Sequence, residues 1–215
     1  MKQLARLIAL ICVLPIACCY WCASAALKPD RAFPGFSQYL SLFPGTTGVY
    51  MRRAFYRLVL PRCDEDACIS FGTVFSHATA CIGRKVYVGV GCMLGDVTLE
   101  DDVLIGSHVS VINGSRQHGI DRLDVPVREQ KGEYPRVTIG QDSWIGDRAI
   151  VMADVGKHCV VGAGSVVTKP VPDYAIVVGN PARIVRWRKS DNHEDPGDGQ
   201  ATCADSLPVE RSQQE

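Results

Sequence analysis

Between Ile69 and Val167 aliphatic residues recur about every six positions, and a glycine often follows them. A six-residue repeat is typical of a parallel β-helix, in which each repeat supplies one short strand with an inward aliphatic side chain and one tight corner. Three repeats would close one triangular coil. The pattern therefore predicts an all-β domain over residues 69–188. The clearest repeats are Ile82-Gly83, Val88-Gly89, Leu94-Gly95, Ile139-Gly140, Ile145-Gly146, Val155-Gly156 and Val161-Gly162.

Small or β-branched residues stand four positions after many of the inward residues. They are Val86, Cys92, Val103, Val109, Ser143, Ala149, Cys159 and Ser165. We expect these side chains to fill the remaining core space, with the cysteines as free buried thiols. A β-sandwich or an ordinary barrel requires strands about eight to twelve residues apart, and this region lacks that spacing.

The repeat stops after Val111 and resumes at Ile139. The intervening residues 112–136 contain glycine, proline and many charged residues, which could not face the interior of a coil. The sequence therefore predicts a loop extruded from one corner, and loops held by a rigid scaffold often carry function. One histidine, His118, lies in this loop. The other histidines of the repeat region are expected at exposed corners: His77, His108 and His158.

The N-terminal segment is a separate unit. Residues 7–27 are uncharged and largely apolar, which is long enough for a helix that crosses a bilayer. Residues 23–25 (ASA) resemble a signal-cleavage site, so an exported protein with a cleaved signal peptide is the alternative. We predict that residues 1–35 are a membrane anchor or signal-like segment. Four arginines favour a cytoplasmic location for the domain that follows: Arg52, Arg53, Arg57 and Arg62.

Two further segments flank the repeats. Residues 36–68 combine aromatic residues, a Pro-Gly break and arginines, which fits either an element in the membrane interface or a cap on the main domain. Residues 189–215 are polar and acidic, and we predict a disordered tail there. The net charge is zero and no zinc-finger or Rossmann signature occurs, so nothing points to nucleic acid.

Three motifs in the second half of the chain are specific. They are residues 144–146 (WIG), 162–167 (GAGSVV) and 179–183 (GNPAR). Together with the repeats they resemble the hexapeptide-repeat acyltransferases, which include galactoside, maltose, serine and polysaccharide O-acetyltransferases. The resemblance covers about residues 69–188. It implies a left-handed parallel β-helix, a homotrimer, and acetyl-CoA as acyl donor without a metal.

The resemblance, together with the position in the loop, implies that His118 is a general base. An alcohol must lose its proton when it attacks a thioester carbonyl, and an imidazole is suited to accept that proton. We expect direct transfer without an acyl-enzyme, and an oxyanion held by a backbone N–H donor. Asp121 is a candidate for fixing the tautomer of His118.

Two other residues are candidates for the acceptor side. Trp144 precedes the inward Ile145, so alternation predicts that it points outward. It either packs against a neighbouring subunit or, by resemblance, borders the acceptor or pantetheine groove. Asn113 is a candidate for binding or orienting the acceptor, with a role in the local turn as the alternative.

The resemblance also implies a coenzyme site. The matching positions are Ala163, Thr168, Lys169, Arg183 and Arg186. Cationic side chains are natural partners of the 3′-phosphate and diphosphate of coenzyme A. For Lys169 and Arg186 the alternative is an ordinary solvated charge.

The acceptor class follows from two departures from the sugar-acetylating members of the family. The stretch upstream of His118, residues 86–94, lacks the asparagines of that subgroup, and the N-terminus is an apolar segment. We therefore predict a surface-polysaccharide or lipid-linked glycan precursor.

Two other functions are alternatives to acetyl transfer. A zinc carbonic anhydrase of the same fold requires a histidine spacing that His77, His108 and His118 lack. A non-catalytic trimeric scaffold or glycan-binding protein is the main alternative. The joint presence of His118, Trp144, Lys169 and Arg183 favours an enzyme.

Overall fold

The computed structural model describes residues 2–188, which form three helices followed by a stack of short strands. Helix α1 spans Lys2–Leu27, α2 spans Pro29–Ser41 and α3 spans Gly45–Val59. The tail predicted over residues 189–215 lies outside the described residues.

Helix α1 contains the predicted apolar segment. Within residues 2–188 it is the one helix long and apolar enough to cross a membrane. One stripe of α1, spaced as on a single helix face, packs against α2 and α3; it consists of Ala9, Val13, Ala17 and Tyr20. The other side of the helix is exposed and apolar. Helix α1 is therefore a candidate membrane anchor that also packs against the rest of the protein.

Helices α2 and α3 close the N-terminal end of the coil stack. The Arg52 side chain of α3 is fully buried, and its Nε donates to the carbonyl oxygen of Ile69 at 2.9 Å. Its Nη1 donates to the carbonyl oxygens of Leu40 and Phe43 at 3.1 and 2.7 Å. Burial lowers the pKa of Arg52. One guanidinium thus joins the end of α2, the turn after it and the first coil.

Sixteen short strands in the described part form the three faces of a left-handed parallel β-helix, which confirms the predicted fold class. The first face contains β1 (Arg62–Cys63), β4 (Cys81–Ile82), β7 (Val97–Leu99) and β10 (Val137–Ile139). The second face contains β2 (Cys68–Ile69), β5 (Tyr87–Val88), β8 (Leu104–Ile105), β11 (Trp144–Ile145), β13 (Val160–Val161), β15 (Ala175–Gly179) and β16 (Ala182–Trp187). The third face contains β3 (Val74–Phe75), β6 (Met93–Leu94), β9 (Ser110–Val111), β12 (Ile150–Val151) and β14 (Val166–Val167).

Neighbouring strands are parallel except β15 and β16, which form an antiparallel hairpin at the C-terminal end. The first strand begins at Arg62, before the predicted domain start at residue 69. The described chain ends one residue after Trp187, the last residue of β16.

The inward residues and the small residues pack as predicted. On the second face, Ile69, Val88, Ile105, Ile145 and Val161 align across neighbouring strands, and all five are fully buried. The small or β-branched residues four positions after an inward residue of the first or second face are buried as well, namely Val86, Cys92, Val103, Val109, Ser143, Ala149, Cys159 and Ser165. The predicted core pattern is confirmed.

In each of the four middle coils two of the three corners have a fixed geometry, and the first and last coils have one such corner each, at Gly72 and Tyr174. At these corners the residue three positions after the inward residue has a left-handed backbone, with φ between 53° and 66° where it is not glycine. These residues are Lys85, Asp102, His108, Asp142, Arg148, His158 and Tyr174, with glycine at positions 72, 91 and 164. The same turn is made each time, so inward residues on either side of these corners stay six positions apart.

The third corner, where the chain passes from the third face to the first face of the next coil, is different. In the described chain its only residue with a left-handed backbone is Gly114, at the start of the loop. Its length also varies: four positions separate Val151 from Val155, and seven separate Phe75 from Ile82. Residues 112–136 leave the stack at this corner, because its length is not fixed by a repeated turn.

Asn113 holds the root of the loop. Its side chain is 2% exposed, its Oδ1 accepts from the Asp96 N–H at 2.8 Å, and its Nδ2 donates to the Asp96 carbonyl oxygen at 2.8 Å. Nδ2 also donates to the carbonyl oxygen of Pro135 at 2.9 Å, at the other end of the loop. Nearby, Arg136 Nε donates to Asp96 Oδ1 at 3.1 Å. Both ends of the loop are thus fixed to the same corner of the preceding coil.

We predict that Asn113→Ala loosens the loop and lowers the free energy of unfolding by about 1–3 kcal/mol, because the three polar groups that the amide satisfies lose their partner. Thermal unfolding and the rate of tryptic cleavage within residues 112–136 measure the effect. Gln141→Ala, at an exposed corner, serves as the control. Unchanged stability with a raised KM for the acceptor would instead indicate that Asn113 binds the acceptor.

Candidate functional site

His118 lies on the extruded loop at the wall of a cavity of about 350 Å³. Its side chain is exposed. The returning part of the loop passes close behind it at Gly132, where a Cβ would overlap the backbone of Gln117 and His118. A glycine is therefore needed at position 132 for this close approach. The cavity is also lined by Ser115, Arg116, Gly119, Ile120, Asp121, Lys131 and Glu133.

Asp121, the candidate partner of His118, lines the same cavity. Within residues 2–188 no hydrogen bond joins the two side chains, so their common feature is the cavity that they line. Two cations, Arg116 and Lys131, and two carboxylates, Asp121 and Glu133, surround it. The backbone N–H of Glu133 donates to the Arg116 carbonyl oxygen at 2.8 Å and closes the loop beneath the cavity. The cavity thus has balanced charge and stable walls.

The outer part of the loop is held by its own hydrogen bonds but exposes apolar side chains. Gln130 Nε2 donates to the carbonyl oxygens of Arg122 and Val125 at 2.7 and 2.9 Å. Four large apolar side chains on the loop are exposed, namely Ile120, Leu123, Val127 and Tyr134, and Leu123 is completely so. In a single chain more than half of the surface of each of these residues is exposed to solvent, which is unfavourable for apolar surface.

Trp144 is 50% exposed while Ile145 is fully buried, which confirms the predicted outward orientation. It is aligned with Leu104 and Val160 on the neighbouring strands, and Leu104 is in turn aligned with Tyr87. The outward side of the second face therefore carries an apolar row.

Three of the five predicted coenzyme-binding residues line one cavity. Thr168, Lys169 and Arg183 surround a space of about 570 Å³ between the last coils and the hairpin of β15 and β16. Ile184 and Trp187 from β16 add an apolar wall. Neither residue was predicted from the sequence, although the alternation that follows the GNPAR motif could have indicated them.

The other two predicted coenzyme-binding residues do not line this cavity. Ala163 is exposed at a corner of the coil, where its backbone N–H lies against Gly146. Arg186 is exposed on β16, opposite Ile176.

Two cysteines of the coils, Cys92 and Cys159, are core residues, whereas Cys63, Cys68 and Cys81 are half-buried. Cys92 Sγ donates to the carbonyl oxygen of Gly106 at 3.1 Å, and Cys159 Sγ donates to that of Pro172 at 3.0 Å. Burial raises the pKa of both thiols, which keeps them protonated. In the part of the chain that is described, no three side chains of His, Cys, Asp or Glu are grouped so as to hold a metal ion.

Comparison with known proteins agrees with this architecture. Residues 136–169 match the family described as bacterial transferase hexapeptide (six repeats). A serine acetyltransferase of Bacillus subtilis is 33% identical over 83% of this chain and 83% of its own length. WbbJ of Escherichia coli, named as a lipopolysaccharide biosynthesis O-acetyl transferase, is 30% identical over 68% of this chain and 86% of its own length. Four other curated acetyltransferase relatives are spanned over only 37% to 54% of their length.

Solved structures give the same result. A galactoside acetyltransferase in complex with coenzyme A superposes with a TM-score of 0.62 and 25% identity, covering 74% of this chain and 80% of that one. The chain therefore shares its fold with a solved acetyltransferase, and its sequence is similar to acetyltransferases over most of their length. The chain belongs to the hexapeptide-repeat acyltransferases.

Proposed function

We propose that this protein is an O-acetyltransferase that transfers an acetyl group from acetyl-CoA to a hydroxyl of a glycan precursor. The observation that carries the proposal is the exposed imidazole of His118 in the cavity of the extruded loop. A general base must reach a substrate proton directly. An exposed side chain on a loop whose two ends are fixed satisfies that requirement.

In the proposed reaction the His118 imidazole accepts the proton of the acceptor hydroxyl as its oxygen attacks the thioester carbonyl. The tetrahedral oxyanion is stabilised by a backbone N–H, as acyl transfer requires. Collapse of this intermediate forms the ester and breaks the carbon–sulfur bond. The imidazolium then returns the proton to the departing thiolate. The Cys92 and Cys159 thiols are not proposed as nucleophiles, because burial keeps both of them protonated and away from the substrate.

The donor site is assigned to the cavity at the C-terminal end. Lys169 and Arg183 supply positive charge for the phosphates of coenzyme A, and Ile184 and Trp187 supply apolar surface for the rest of the molecule. The coenzyme A complex of the related galactoside acetyltransferase supports this donor. Ala163 and Arg186 are proposed to contact parts of the donor that extend beyond the cavity.

A homotrimer would complete the site. Within one chain the cavity beside His118 and the donor cavity share no lining residue. The loop exposes four large apolar side chains, and the second face exposes the row around Trp144. We propose that the loop of one subunit packs against the coils of the next, so that His118 meets the thioester of the neighbouring donor site and Trp144 borders the groove between them.

The acceptor is proposed to be a surface-polysaccharide or lipid-linked precursor on the cytoplasmic side, where acetyl-CoA is found. The apolar helix α1 and the name of the relative WbbJ support this class. The non-catalytic scaffold remains the alternative, and an assay of acetyl transfer separates the two.

We predict that His118→Ala lowers the rate of acetyl transfer by about 10²–10⁴-fold, as expected for loss of a general base. The assay follows radiolabel from acetyl-CoA into glycolipids of membranes from cells that lack the protein. His108→Asn, which changes an exposed histidine at a coil corner, is the control. Near-normal transfer by His118→Ala would refute the assignment of the base, and absence of transfer by the unaltered protein would favour a scaffold.

We further predict that Arg183→Gln raises the Kd for coenzyme A about 10–100-fold, because one charge-assisted hydrogen bond is lost. Calorimetric titration of the full-length protein measures this, with Arg148→Gln at an exposed corner as the control. Repeating the titration with 3′-dephospho-coenzyme A shows which phosphate Arg183 contacts. An unchanged Kd for both ligands would remove Arg183 from the donor site.

A further inference from the structure

We propose that the cleft between helices α1 and α3 binds the phosphate headgroup of an anionic membrane lipid. The cleft encloses about 360 Å³. Its polar part is formed mainly by three arginines, Arg6 of α1 and Arg53 and Arg57 of α3. This proposal does not depend on acetyl transfer, because none of its residues lines either cavity discussed above.

The cleft has an excess of positive charge. Glu65 is the one carboxylate in its lining, and it pairs with Arg6 at 3.3 Å and with Arg57 at 3.9 Å. Arg6 also pairs with Asp66 at 2.6 Å. Arg53 has no carboxylate partner among the described residues. Three guanidinium groups therefore have two carboxylates between them, Glu65 in the lining and Asp66 beside it, and the remaining positive charge favours an anionic ligand.

The cleft also has more hydrogen-bond donors than acceptors. Arg53 donates through Nη1 to the carbonyl oxygen of Ala67 at 3.4 Å and stacks over the ring of Tyr50 at 4.6 Å. Its Nη2 and the Nε of Arg6 are buried without an acceptor. Buried donors without partners are unfavourable. A phosphate in the cleft would supply acceptor oxygens for these groups after a small rotation of the guanidinium planes.

The apolar part of the cleft indicates a lipid rather than a free anion. Leu7, Leu10 and Leu58 form this part, and Leu7 is also half exposed on the outer side of α1. From Leu7 the cleft is continuous with an exposed apolar surface of α1 formed by Leu4, Ile8, Ile11 and Leu14. A free phosphate would use none of this surface. The acyl chains of a lipid would cover it, and the headgroup would lie among the arginines.

The site would couple lipid binding to the orientation of the enzyme. Arg53 and Arg57 lie on the same helix as Arg52, whose guanidinium bonds directly to the first coil at Ile69. Glu65 and Asp66, which pair with Arg6, belong to a corner of that same coil. A headgroup held in the cleft therefore fixes the coil stack relative to the membrane surface.

Native mass spectrometry of the full-length protein in mixed micelles tests the proposal, with phosphatidylglycerol and phosphatidylcholine as probes. We expect the protein to retain phosphatidylglycerol about tenfold more than phosphatidylcholine, and the double variant Arg53→Gln/Arg57→Gln to lose that preference. The control Arg84→Gln/Arg148→Gln removes the same charge from exposed coil corners and should keep it. Equal retention of the two lipids by the unaltered protein, or an unchanged preference in the Arg53/Arg57 variant, would overturn the proposal.

Two further measurements keep the test decisive. If inorganic phosphate at millimolar concentration displaces phosphatidylglycerol completely, the cleft is a site for free anions and the lipid assignment is wrong. If the double variant does not fold, the single variant Arg57→Gln replaces it, because Arg57 is exposed and makes only a long ion pair. Binding of coenzyme A should be unchanged in these variants. Failure of the lipid-binding proposal can therefore be distinguished from failure of the proposed enzymatic function.

Discussion

The left-handed turn that recurs at two corners of each of the four middle coils is the constraint on which this architecture depends. Lys85, Asp102 and His158 have a positive φ, a conformation that residues other than glycine rarely adopt. Because the turn is the same each time, the inward residues on both sides stay six positions apart, and the strands of successive coils remain in register. The cost of these backbones is offset by the ladder of hydrogen bonds between coils and by the closely packed aliphatic core.

The third corner is free of this constraint, and the candidate site depends on that freedom. The loop that carries His118 leaves the stack there, and Thr168 and Lys169 of the proposed donor site occupy the same corner of a later coil. An insertion at either of the other corners would displace the repeated turn and shift every strand after it. Asn113 then fixes the loop to Asp96 of the preceding coil and to Pro135, so both ends of the long insertion stay attached to the stack.

The features that could be predicted from the sequence are those encoded by local periodicity. The six-residue spacing of Ile82, Val88 and Leu94 predicts the coil, and the loss of that spacing after Val111 predicts the loop. The roles of Asn113 and Arg52 could not be predicted, because each depends on contacts between distant parts of the chain. Asn113 bonds to residues 17 and 22 positions away, and Arg52 to a carbonyl 17 positions away. A repeat indicates how neighbouring coils stack, but not which polar side chain closes a loop or caps an end.

The separation between the basic cleft and the loop with His118 places a geometric condition on the proposed acceptor. The basic cleft adjoins the first coil, whereas the loop with His118 leaves after the third coil. Parallel strands are about 4.8 Å apart, so the root of the loop stands on the order of 10–15 Å from the first coil along the stack. If the cleft rests at the membrane surface, a hydroxyl next to the lipid phosphate lies too close to the bilayer to reach the imidazole. The acetylated hydroxyl of a lipid-linked acceptor would then belong to a sugar farther along the glycan.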